Sequence, residues 1–107
     1  MSIDVTVKKE GGNWVCDPET LTVTTKNKKI KFGLATDGYT FRGANAVVVQ
    51  EGGTQFPEPA VTEDGKKKVS LLDVNTVAGY FKYTVYLVED ATGQPVVIDP
   101  GIRNNPE

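Results

Sequence analysis

Cysteine is the side chain here with the greatest intrinsic nucleophilicity, and the chain has one, Cys16, in the stretch Val15-Cys16-Asp17-Pro18-Glu19. A thiol reacts as its thiolate and ordinarily titrates near ~8.5, so a useful nucleophile needs positive charge or a base beside it. Asp17 and Glu19 supply the opposite sign, and the sequence contains no histidine to act as base. Cys16 therefore reads as a small buried hydrophobe next to Trp14, beside a tight turn at Pro18. The absence of histidine together with a single cysteine removes the usual ligands of zinc, copper and non-haem iron. Calcium takes oxygen ligands and is permitted by composition, but no D-x-[DN]-x-[DN]-G loop is present. The expectation is no metal and no cofactor.

Acid-base work needs two carboxylates brought close by the fold. Asp17, Glu58 and Asp99 are the candidates, and each precedes a proline. Proline pushes the preceding residue toward extended backbone, where its carboxylate can bond nearby amides and fix a turn, so a structural role accounts for all three. Serine occurs at positions 2 and 70, and G-x-S-x-G, P-loop and dinucleotide fingerprints are missing. The chain does not read as an enzyme; an enzyme with a carboxylate pair is the remote alternative. The lysines between 26 and 31 and from 66 to 68 fall at turns and read as solvated hairpin tips. Tyr39, Phe41 and Arg42 together resemble a stacking platform, but Tyr39 and Phe41 share strand parity, which favours core packing.

These residues must be held by strands. Alternation with a period of two recurs in short segments rich in Val, Thr, Tyr and Ile. Ile3, Val5 and Val7 share a face before Gly11-Gly12; Trp14 and Cys16 share one before Pro18; Leu21 and Val23 follow, with Thr20, Thr22 and Thr24 opposite. Ile30, Phe32 and Leu34 come after the polar turn at 26–28. Asp37-Gly38 turns into Tyr39 and Phe41, then a short strand covers Ala46 to Val49. The segment 51–59, "EGGTQFPEP", has two glycines and two prolines and reads as an irregular loop. After a turn at 63–65 come Val69 and Leu71, and at most one helical turn fits 72–78. The longest strand is Tyr80 to Val88, with Phe81, Tyr83, Val85 and Leu87 inward and Tyr80, Lys82, Thr84 and Tyr86 on a wetter face. Asp90-Ala91-Thr92-Gly93 turns it into a hairpin with Pro95 to Ile98, and the tail 99–107 is extended.

A chain of 107 residues fits one domain, residues 1–107, with a single core. Seven or eight short strands with turns between them predict an all-β, antiparallel two-sheet sandwich with Greek-key connections. Twelve basic against fourteen acidic residues, net charge -2, give no field to draw in nucleic acid. No apolar run approaches the ~20 residues that span a bilayer, and "MSIDVTVKKE" alternates instead of forming a signal-peptide core, so a cytoplasmic protein without membrane contact is expected.

The segment Gly79-Tyr80-Phe81-Lys82-Tyr83-Thr84-Val85 resembles the penultimate strand of cupredoxins and other immunoglobulin-like sandwiches, where a glycine corner leads into alternating aromatics. At the position of Val85 a copper protein would have its ligand cysteine, so copper binding does not carry over. At Phe81 an antibody-type corner would have tyrosine. The Asp-Pro steps at 17–18 and 99–100, with Phe56-Pro57-Glu58-Pro59 between them, resemble the small bacterial DP-EP family. That resemblance implies a bacterial sandwich protein and no assigned activity.

The functional expectation is a non-enzymatic binding or assembly module, acting on another protein or on itself. Tyr80, Tyr86 and Val88 form an outward stripe more apolar than a solvated face requires, and Phe56 and Glu58 sit in the Gly- and Pro-rich loop, so these five are the candidate interaction residues. A homodimer through the outer face or edge of the Tyr80–Val88 strand and its hairpin partner is the specific form. The alternative is a small-ligand or carbohydrate binder stacking on Trp14, Tyr39 or Tyr86.

Overall fold

The structure is a computed structural model that describes residues 3–50 and 54–104. In chain order the strands are β1 (Val5–Glu10), β2 (Asn13–Asp17), β3 (Thr20–Val23), β4 (Lys28–Leu34), β5 (Tyr39–Phe41), β6 (Val47–Val49), β7 (Val61–Thr62), β8 (Lys68–Asp73), β9 (Gly79–Glu89), β10 (Pro95–Ile98) and β11 (Gly101–Asn104), with a 3-10 turn at Asp64–Lys66 between β7 and β8. Among the described residues there is no α-helix, and no helix is long and apolar enough to cross a membrane.

The chain punctuation follows the turn chemistry. Gly11 and Gly12 both take positive φ between β1 and β2, whose register pairs Glu10 with Asn13, as a two-residue hairpin requires. Pro18 ends β2, which lies in the first sheet, and β3 lies in the second, so the proline-broken step is where the chain changes sheets.

The first sheet runs β2-β1-β4-β8-β7. The second runs β10-β9-β11-β3, with β5 and β6 also on β9. Both are mixed, which corrects the antiparallel expectation: β1 pairs β4 in parallel, and β11 pairs β3 in parallel. The cause is the change of sheet after β2. The chain leaves the first sheet, returns as β4 on the other side of β1, and the excursion reverses its direction once more than a hairpin does.

Eleven short strands take the place of seven or eight among the described residues, because β9 is flanked by strands in pieces. One of its edges is covered by β5 and then β6, the other by β10 and then β11, broken at Asp99-Pro100. The expected β9–β10 hairpin is present, with Pro95 opposite Val88 and Ile98 opposite Val85. Residues 101–104 of the tail form β11, wedged between β9 and β3.

The inner faces of the two open sheets share one core, an arrangement compatible with a β-sandwich. Val5, Val7, Ile30, Phe32 and Val69 from the first meet Phe41, Val47, Tyr83, Val85, Leu87 and Ile102 from the second. Phe32 and Tyr83 meet edge-on across the layers, centroids 5.5 Å apart. Each fully buried apolar side chain of this kind contributes roughly 1.5–3 kcal/mol. Two expected core residues are only half-buried: Phe81 lies at the end of the stripe, and Trp14 sits near the end of the edge strand β2. Thr84, expected on a wet face, is buried, because Gln50 and Asp99 hydrogen-bond its hydroxyl from either side at 3.5 and 3.1 Å.

Candidate interaction face

The outer face of the second sheet is built around β9. Strand alternation turns Tyr80, Lys82, Thr84, Tyr86 and Val88 away from the core, and the register adds their neighbours. Thr40 and Val48 lie opposite Val88 and Thr84 on one side. Pro95, Val97, Gly101 and Arg103 lie opposite Val88, Tyr86, Lys82 and Tyr80 on the other. Thr20 and Thr22 of β3 extend the surface beyond β11.

Three apolar side chains on this face stand well into solvent: Tyr80 is 49% exposed, Val97 57% and Val48 39%. Two arginines complete it. The Arg42 guanidinium lies 3.9 Å from the Tyr86 ring centroid and donates to the carbonyls of Ala44 and Asn45 at 2.9 and 2.7 Å, which fixes it over the ring. Arg103 lies 5.9 Å from the Tyr80 ring. Tyrosine and arginine are enriched at protein interfaces.

The five sequence-derived candidates separate into two places. Tyr80, Tyr86 and Val88 share the outer face; Tyr86 and Val88 are half-buried there. Phe56 packs edge-on against the inner-face ring of Phe81, 5.4 Å between centroids. Exposed Glu58 joins Phe56 in a surface groove of about 230 Å3 that also takes in Val47, Val48 and Val49. Residues 51–53 of that loop lie outside the described residues. The edge of β9 is not available for pairing: from Lys82 to Val88 both sides are hydrogen-bonded, Gln50 and Arg42 donating to the Lys82 and Tyr86 carbonyls in continuation of β6 and β5. Between Lys82 and Val88 an interface on this strand is confined to its face. The alternation of β9 marked the tyrosines, but Val48, Val97 and Arg103 come from three other segments and carry no signal of their own, and Arg42, read beside Tyr39 and Phe41, lies instead over Tyr86. Val97 was legible only through its hairpin parity, which puts it beside Tyr86.

The other candidate chemistry is distributed. Cys16 is buried, and burial first, then the Glu19 carboxylate, pushes its thiol up to about 12. Asp99 accepts from Thr84, Asp17 lies 4.0 Å from Lys8, and Glu58 lines the groove by β6, so each of the three carboxylates has its own surroundings. Among the described residues no three His, Cys, Asp or Glu side chains gather as a metal site. Of the possible stacking platforms, Trp14 and Tyr39 meet edge-on at 4.8 Å with Lys9 5.6 Å from the Tyr39 ring, and Tyr86 carries Arg42. No family model matches the chain, and no curated protein matches it.

Proposed function

We propose that this chain is a non-enzymatic assembly module, an immunoglobulin-like Greek-key sandwich of the DP-EP type, that associates with a second copy of itself through the outer face of the six-stranded sheet. The observation that supports this reading is the exposure of Tyr80, Val97 and Val48 on one sheet face, with Arg42 over Tyr86, Arg103 beside Tyr80 and Lys82 between Tyr80 and Thr84. Such a sheet face offers exposed apolar and aromatic area with donors beside it, and closed two-fold pairing is the commonest way a soluble protein covers one. Sedimentation over a wide concentration range tests it. The wild type is expected to approach twice the monomer mass, and Val97→Lys, which puts a charge beside Tyr86 on the face without touching the core, is expected to stay monomeric. A monomer at every concentration would rule the pairing out.

A further inference from the structure

At one end of the core lies a set of buried amide and carboxylate oxygens. Asp73 ends β8, Asn75 follows in the left-handed region with φ 53°, and Asn104 ends β11; their residue exposures are 0%, 0% and 2%. They adjoin one another. Asn75 N–H donates to Asp73 Oδ1 at 2.9 Å, and the Asn104 side chain lies against the same carboxylate. Both asparagines bracket Val23: Asn75 Nδ2 donates to its carbonyl at 3.1 Å, and Asn104 is its register partner in β3.

The orientation of each amide is fixed by its partners. Asn75 Nδ2 also donates to the Thr25 carbonyl at 3.1 Å, so the other end of that amide is the oxygen. Gln55 Oε1 accepts from Thr76 N at 2.8 Å and Val77 N at 3.1 Å; it is therefore oxygen, and the Asn104 atom facing it at 3.2 Å is the nitrogen. What remains is Asp73 Oδ2, Asn75 Oδ1 and Asn104 Oδ1, three buried acceptors with no donor among the described residues. Burial pushes the Asp73 carboxyl up, opposed by the Asn75 N–H and the Asn104 side chain. The in-register cation, Lys28, is paired with Asp4 at 3.1 Å.

Buried acceptors are rarely left bare. A proton on Asp73 alone brings one hydrogen for the two asparagine oxygens, and one water alone brings two hydrogens for three oxygens; only the two together would supply three. A single cation set among them would serve all three and also balance the carboxylate. The donor set is hard oxygen, which selects alkali or alkaline-earth ions. With one carboxylate present, a divalent ion would leave a net buried charge, which is costly. We propose that Asp73, Asn75 and Asn104 form a buried binding site for a monovalent, oxygen-coordinated cation that ties the end of β11 to the end of β8.

Thermal unfolding in sodium chloride, against tetramethylammonium chloride at the same ionic strength, tests this on the wild-type chain. Sodium is expected to raise the folding constant saturably, about elevenfold once its concentration is ten times the dissociation constant. Asp73→Asn keeps the shape and removes the charge, and is expected to lose that increment. If Asp73→Asn does not fold, the sodium NMR line width reads the same binding without a variant, broadened by the folded wild type and sharpened again in urea. Identical unfolding in the two salts with no broadening would overturn the site and leave water or a proton as the occupant. Stabilisation by calcium chloride at matched ionic strength without any by sodium would overturn the single-charge assignment.

Discussion

The ring of Tyr80 lies across Gly101 on the neighbouring strand, so close that a methyl group on Gly101 would fall inside the tyrosine's hydroxyl and ring carbons. The two are diagonal neighbours, since Lys82 and not Tyr80 is the register partner of Gly101, and the ring buries the glycine beneath it. Gly101→Ala is therefore expected to swing Tyr80 off the sheet and cost about 1–3 kcal/mol. In a Tyr80→Ala background the same substitution is expected to cost almost nothing, a coupling that a double-mutant cycle in urea measures directly.

Tyr83 is fully buried against Phe32, and its hydroxyl has no partner among the described residues. Burial, with smaller effects from Cys16 and Tyr80, keeps that phenol protonated far into the alkaline range. An unpaired buried hydroxyl is a desolvation cost of about 1–3 kcal/mol, so Tyr83→Phe is expected to stabilise the fold, or at least not weaken it. A loss above about 1 kcal/mol in urea unfolding would show that the hydroxyl is bonded.

Cys16 is expected to resist a thiol reagent at neutral pH while folded and to react at once in denaturant. The sign of its pH effect follows from the shift. Burial pushes the folded thiol up to about 12, well above the range of about 8.5 to 9 of a free thiol, so the folded state holds the proton more tightly. That contribution is complete below pH 9 and is lost as pH rises toward 12. Relative to Cys16→Ala, the wild type should therefore lose stability progressively across that window, as read by urea midpoints at several pH values.

Trp14 and Phe32 offer a direct contrast. Phe32 is fully buried between the sheets, and its truncation to alanine is expected to cost about 3–5 kcal/mol. Trp14 is half-buried on the edge strand and leans edge-on against Tyr39, so Trp14→Ala is expected to cost clearly less than Phe32→Ala despite the larger side chain. Equal losses would mean that the corner formed by β2 and β5 is packed as tightly as the core.

The sequence by itself determined the parity of the strands, because a pleated chain puts alternate side chains on opposite faces whatever its neighbours are. The inward placement of Val5, Val7, Ile30, Phe32, Val69, Tyr83, Val85 and Leu87, the glycine turns at 11–12 and 38, and the β9–β10 hairpin were all readable on that ground. Tertiary structure decided everything that depends on which strand lies beside which. The parallel pairings of β1 with β4 and of β11 with β3 rest on a change of sheet at Pro18 that no local pattern encodes. The pairing of β9 with β5, β6 and β11, the arginines beside Tyr80 and Tyr86, and the meeting of Asp73 and Asn75 with Asn104 join residues from about 20 to 50 positions apart, a distance over which propensity and alternation carry no information.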